Sequence, residues 1–233
     1  MRRRNSTILF ALAMAALMIA GVLYAADNAL TQTEKNAGWK LLFDGKTLNG
    51  WKATGKAEGW TVEDGAICNT VNGGGYLATT EQYRDFVLSL DVKYEKGANS
   101  GVFFHWTDLG DPVQKGIEVQ ILDSYRKQKA DKHDFGAIYD CLEPTKIACK
   151  PAGEWNRVVL TCRGNRIIVD VNNKRVINMN CDRWTTPHQN PDGTPNKFST
   201  AYKDMAQKGY IGFQDHGHRV WFKNIKIKPL NGG

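Results

Sequence analysis

The sequence predicts an all-β chain folded as two packed antiparallel sheets. Three observations point there: period-two alternation of apolar residues, turn pairs of Gly, Asn and Asp between apolar runs, and a near absence of helical periodicity. Lys40 to Phe43 opens the series of strands. Trp60-Thr61-Val62 and Ala66-Ile67 flank Asp64-Gly65, a pair suited to the positive φ angles of a tight hairpin. Asp85 to Tyr94 alternates most cleanly: Phe86, Leu88, Leu90, Val92 and Tyr94 share one face, Ser89, Asp91 and Lys93 the other, with Val87 the exception. Val102 to His105 and Ile117 to Leu122 are the next strands. In the second of these, Ile117, Val119 and Ile121 point to the core and Glu118 and Gln120 to the opposite face, beside which alternation is expected to set His105. Gly164-Asn165 and Asn172-Asn173 divide Trp155 to Asn180 into a three-stranded meander. Thr200 to Gln207 reads as a short helix with a weak apolar face, and strands at Tyr210 to Gln214 and Val220 to Ile227 complete the chain.

The composition, 42% hydrophobic and 10% aromatic, is that of a globular protein. Arg2, Arg3 and Arg4 precede an apolar run from Ile8 to Tyr24 that ends at Ala25-Ala26-Asp27, the basic start, apolar core and small-residue end of a secretory signal. The expected organisation is a signal peptide at 1–25, an N-terminal extension at 26–38 and one domain at 39–230. A retained membrane anchor is the rival reading, since Leu23 is large for its place before the cut. Export to the periplasm or beyond follows, with no membrane contact once the signal is removed. The three arginines leave with it, lowering the formal charge of +7, and most remaining cations are dispersed, which argues against nucleic acid as a partner. In an oxidising compartment Cys141–Cys149 and Cys162–Cys181 are the favoured disulfides, while Cys68 reads as a small core residue.

Several blocks carry a family resemblance: Trp39-Lys-Leu-Leu-Phe-Asp-Gly-Lys-Thr-Leu-Asn-Gly-Trp51, Asn99-Ser-Gly-Val-Phe-Phe104, Gly116-Ile-Glu-Val-Gln-Ile-Leu-Asp123, Gly136-Ala-Ile-Tyr139, Gly153-Glu-Trp-Asn156, and Gly209-Tyr-Ile-Gly-Phe-Gln-Asp-His-Gly217 with Val220-Trp-Phe-Lys-Asn-Ile225. In this order they resemble the secreted bacterial domains of the 3-keto-disaccharide hydrolase family, formerly a domain of unknown function, over nearly all of 39–230. The resemblance implies a jelly-roll sandwich of the concanavalin-like lectin and glucanase type, with a carbohydrate substrate on its concave face. It also implies as pathway partner an oxidoreductase that makes the ketone. The chain departs from the family's frequent arginines at His105 and Lys223.

An ordinary glycosidase needs two positioned carboxyl groups. Glucanases of this fold place them as Glu-x-Asp-x-x-Glu, whereas the similar run here is Glu118-Val-Gln120-Ile-Leu-Asp123, with an amide at the centre and a shorter last acid. A sugar oxidised at carbon 3 requires something else: a base for the acidified proton on carbon 2, a donor for the enolate oxygen, and help for the leaving group. The family match together with the shared strand face gives Glu118 the base role, Gln120 an orienting role, and His105 or Lys223 the enolate oxygen. Asp123, His133, Tyr139, Gln214 and His216 are the further candidate substrate contacts, Tyr139 also as a donor to the leaving group.

His105, His133, His216 and His218 are candidates to converge with Asp123 or Asp134, so a divalent metal ion is the one cofactor considered, although no spacing is diagnostic. His188 reads as a surface loop residue. Trp106, Tyr125, Tyr139 and Trp184 are the aromatics placed for sugar stacking, against Trp39, Trp51, Trp60, Trp155 and Trp221 for the core. Asn72-Gly73-Gly74-Gly75-Tyr76 lacks the Lys and helix of a phosphate loop and reads as a strand connection. Arg126, Lys127, Lys129 and Lys132 form the one basic cluster, a solvated rim. The alternative in another class is a non-catalytic carbohydrate-binding module, since fold alone does not decide function. An ordinary glucanase is disfavoured by the altered carboxylate pattern.

Overall fold

A computed structural model describes residues 26–70 and 73–230; the expected signal at 1–25 lies outside them. Among the described residues thirteen strands run in order: β1 (Lys40–Leu41), β2 (Trp51–Ala53), β3 (Trp60–Glu63), β4 (Ala66–Asn69), β5 (Tyr76–Thr79), β6 (Phe86–Tyr94), β7 (Asn99–Trp106), β8 (Ile117–Leu122), β9 (Asn156–Arg163), β10 (Arg166–Val171), β11 (Lys174–Asn180), β12 (Tyr210–Gln214) and β13 (Val220–Pro229). The only α-helical turns among the described residues are α1 (Gln32–Asn36) and α2 (Pro112–Lys115). No described helix is long and apolar enough to cross a membrane.

The strands form two antiparallel sheets. One is eight-stranded in the order β11-β10-β9-β6-β13-β4-β3 with β1 against β13; the other is five-stranded in the order β2-β5-β12-β7-β8. The core lies between them, where Phe86, Leu88, Leu90, Val92 and Tyr94 of β6 meet Ile211 and Phe213 of β12. Phe213 stacks on Phe222 of β13 with ring centres 4.0 Å apart, tying the sheets together, and on Trp51 of its own sheet at 5.1 Å. The hairpin turns adopt the conformation their residues predict: Asp64, Gly65, Gly164, Asn172 and Asn173 all have positive φ.

Three expectations are corrected. Thr200 to Gln207 makes only a single 3₁₀ turn, Tyr202–Asp204, whose Tyr202 is buried in the core rather than displayed on a helix face. The favoured disulfides are not formed: all five cysteines are buried free thiols. Cys149 is turned to Tyr94 and Cys141 to Tyr202, so each half of that pair fills a different part of the core, and burial raises both thiols. Trp106 and Trp184, expected on loops, are buried, whereas Trp39, Trp155 and Trp221 are half-buried under Lys226, Lys93 and Lys223 on the outer face of the larger sheet.

The 26–38 segment lies against that outer face. Asn28 exchanges hydrogen bonds with Asn224 and donates to the Gly65 carbonyl, Asp27 pairs with Lys223, and Glu34 with Lys226. The opposite, concave face of the five-stranded sheet is left open.

Candidate active site

Register determines what the concave face displays. Glu118 of β8 pairs with Phe103 of β7, and Gln120 pairs with Gly101, so these four share one face. Across β12, Gly212 pairs with both Phe103 and Ala78, and Gln214 with Tyr76. Phe103 and Trp106 are buried beneath Tyr76, with ring centres 5.1 and 5.5 Å from it, and Gly212 leaves the room that the Trp106 ring occupies. On this apolar floor stands a cleft of about 310 Å³ lined by Tyr76, Asn99, Glu118, Gln120, Tyr139, Lys197, Gln214, Asp215 and His216.

Glu118 is only 7% exposed, and among the described residues no hydrogen bond reaches its carboxyl group. Burial without a partner pushes it up to about 8, while the Lys197 ammonium pulls it down. Its side chain lies over Gly101: a Cβ there would stand 2.7 Å from the carboxyl carbon. The other groups are organised around it. Gln120 donates to Asn99 at 2.9 Å and Gln214 donates to the Tyr76 hydroxyl at 3.1 Å, which leaves amide and phenol groups facing the cleft as hydrogen-bond donors and acceptors. Burial raises the Tyr76 hydroxyl, and the nearby Glu118 adds to the shift. Asp215, the second acid of the cleft, is occupied by Asn69 and by the backbone N–H groups of Gly74 and Gly217.

Tyr139 belongs to a segment that runs beside β8: its N–H donates to the Glu118 carbonyl, and Gln120 donates to Ala137. Lys197 arrives from the long loop after β11. Asn190 at the centre of that loop accepts from Trp184 and Asn196 and donates to the Asp140 carbonyl. Asp140 accepts from the Lys197 N–H, and Gln114 of α2 donates to the Lys197 carbonyl. So anchored, Lys197 places its Nζ 3.1 Å from the Tyr139 hydroxyl and above the Tyr139 ring.

The structure brings together Glu118, Gln120, Tyr139, Gln214 and His216 of the sequence candidates. His105 is not among them. It carries φ 48° at a bulge where the register slips between Tyr210 and Gly212, so alternation breaks and Trp106 takes the concave face instead. The His105 ring turns inward, 3% exposed, edge-on to Phe86 and Phe104, with Nε2 2.6 Å from the Arg84 carbonyl oxygen. A carbonyl only accepts, so Nε2 carries the proton, and burial lowers the ring's basicity. Lys223 is on the other sheet, on β13, 2.6 Å from Asp27 and over the Trp155 ring. Asp123 lies past the end of β8 in a different cleft, accepting from the Gly97 N–H. His133 stands behind Tyr139, edge-on at 5.0 Å and 3.2 Å from Asp140. The histidines therefore do not converge, and among the described residues no group of three His, Cys, Asp or Glu side chains has metal-holding geometry. Tyr76, Asn99, Lys197 and Asp215 are the cleft residues that sequence reasoning passed over.

Comparison with known proteins gives concordant matches. The family described as the 3-keto-alpha-glucoside-1,2-lyase-like domain matches residues 38–228. A 3-keto-disaccharide hydrolase of Bacteroides thetaiotaomicron is 29% identical over 229 residues, spanning 83% of this chain and 79% of the relative. A crystal structure of a candidate glycosyl hydrolase from Parabacteroides distasonis is 34% identical, covers 82% of this chain and 99% of its own, and superposes with a TM-score of 0.76. A second such structure from the same organism is 28% identical, covers 88% and 100%, and has a TM-score of 0.75.

Proposed function

The chain belongs to the 3-keto-alpha-glucoside-1,2-lyase-like domain family, among relatives named as hydrolases of glycosides, and from that premise we propose that it cleaves 3-keto-glycosides by elimination followed by hydration. The observation that carries the reading is Glu118, a buried carboxyl group with no hydrogen-bond partner among the described residues, raised to about 8 beside one ammonium group. Such a group is a stronger base than an ordinary carboxylate, matched to a C–H proton acidified by a neighbouring ketone.

In the proposed sequence Glu118 takes the proton from carbon 2, and the electrons of that bond form the enolate. Lys197 Nζ holds the developing charge on the carbon-3 oxygen. As the ketone re-forms, the bond from carbon 1 to the leaving oxygen breaks and that oxygen takes the Tyr139 hydroxyl proton. Water then adds its oxygen to carbon 1 and restores the Tyr139 proton, while Glu118, its proton exchanged with solvent once the leaving group has departed, delivers a proton to carbon 2. The net result is hydrolysis. Gln120, Asn99, Gln214 and the Tyr76 hydroxyl orient the sugar. His216 borders the site as a further hydroxyl contact.

Two features favour this over direct hydrolysis: Gln120 replaces a second acid on the strand face, and Asp215 is engaged by its neighbours. A sugar-binding module has no need of a buried, unpartnered carboxyl group. Residues 1–25 are read as an export signal that delivers the domain to the periplasm or outside the cell. The test is turnover of a matched pair, a glucoside and its 3-keto derivative. Cleavage of the keto sugar alone supports elimination, equal cleavage of both supports ordinary hydrolysis, and binding without cleavage supports a binding module.

A further inference from the structure

The cleft containing Asp123 is larger than the one around Glu118, about 370 Å³, and the two share no lining residue. Its walls are Lys96 and Asp123, Tyr125 and Arg126, Pro151 and Ala152. Tyr125 is the one large hydrophobic side chain among the described residues that is strongly exposed, at 47%. An exposed ring beside Pro151 and Ala152 offers an apolar platform, and a phenol ring is suited to the C–H face of a pyranose. Lys96 and Arg126 are exposed and form no ion pair among the described residues, whereas Lys127 next in the chain is held by Asp131 and Asp134. Asp123 uses one carboxylate oxygen on the Gly97 N–H and leaves the other for hydroxyl groups. The lining thus combines a stacking ring, two free cations and one acceptor, with a net positive charge.

We propose that this cleft is a second saccharide-binding site, selective for a sugar unit bearing a carboxylate or sulfate, its ring on Tyr125 and its charge on Lys96 and Arg126. Arginine suits this role because its planar fork matches the oxygens of either anion. The site lies at the end of the strand that carries Glu118, roughly 17 Å along it at 3.3–3.4 Å per residue. A disaccharide held at Glu118 does not span that length, so the second site would hold a longer or separate part of a glycan. It stands independently of the role given to Glu118.

The test is an NMR titration of the isotope-labelled chain with glucuronate, glucose 6-sulfate, glucose and inorganic sulfate at low salt, followed at the amides of 96–97 and 123–126. Saturable shifts with glucuronate or glucose 6-sulfate are expected, the stronger of the two identifying the anion. Glucose and inorganic sulfate should each bind about tenfold more weakly, since each lacks one half of the recognition, and added salt should weaken the charged sugars. Tyr125→Ala and Arg126→Ala, both at exposed positions, should each lose about tenfold in affinity while turnover of a 3-keto glucoside is unchanged. Equal binding of glucose overturns the charge selection, and equal binding of inorganic sulfate overturns the sugar. Absence of binding by both charged sugars, or retention of affinity in both variants, overturns the site.

Discussion

The Glu118 carboxyl group occupies the volume that a side chain at position 101 would fill, its carboxyl carbon 2.7 Å from where a Cβ on Gly101 would stand. The absence of a side chain at Gly101 of β7 is therefore what lets a carboxylate from β8 lie over the sheet, buried yet facing the cleft. Gly101→Ala should keep the fold and displace the carboxyl group. Turnover of a 3-keto glucoside should fall about tenfold or more with substrate affinity largely kept, as misplacement of a reacting group costs rate rather than binding. Normal kcat in a folded Gly101→Ala variant would show that the position of Glu118 is not critical.

Glu118→Gln should remove the base and lower kcat by roughly 10²–10⁴-fold. It also has a stability signature. The carboxyl group is raised from 4.5 to about 8 in the folded chain, so the folded state holds its proton more tightly than the unfolded one. The wild type is then most favoured below pH 4.5 and loses stability as pH rises to 8, by an amount on the order of a few kcal/mol. Melting of the two proteins at pH 5 and pH 9 checks this: the variant should gain on the wild type at the higher pH, and a parallel response would contradict the raised value.

The base form of Glu118 should make kcat/KM for the keto sugar rise with pH through about 8. The Lys197 ammonium pulls that value down, so Lys197→Met should move the rise to higher pH as well as slow turnover. A slower enzyme with an unmoved profile would separate Lys197 from Glu118.

His105 and Lys223 should behave as structural residues. His105→Asn suits the positive φ of the bulge but gives up ring packing on Phe86 and Phe104. Stability should fall by roughly 1–3 kcal/mol with kcat retained in the folded protein. Lys223→Met loses an ion pair to an exposed Asp27, a change within about 1 kcal/mol, again without effect on turnover. A large loss of kcat in either variant, without unfolding, would return that residue to the site.

The two-sheet fold was legible because its signals are local: clean alternation in Phe86–Tyr94 and turn pairs whose residues accept positive φ. Glu118 and Gln120 were legible for the same reason, since β8 is regular along its length. His105 was misread because a one-residue bulge reverses the face of everything after it, and histidine is not the residue that usually announces a left-handed backbone. Lys223 was misread because a strand's own pattern does not say which sheet it joins. Lys197 was invisible because its place depends on contacts distant in sequence, from Asn190, Asp140 and Gln114. Tyr76 was hidden at the end of a Gly-rich stretch that reads as connection, though it opens β5 and faces Gln214. The cysteine pairs failed because spacing carries no direction, and each thiol had a core position to fill.

The central claim is that Glu118 removes the proton on carbon 2 of a 3-keto sugar. The most direct measurement is cleavage of a 3-keto glucoside in deuterium oxide, with the released sugar sampled early by NMR. Elimination and hydration predict deuterium at carbon 2 with the wild type and no enzyme-catalysed incorporation with Glu118→Gln. Cleavage that leaves protium at carbon 2, or incorporation that survives Glu118→Gln, would contradict the account.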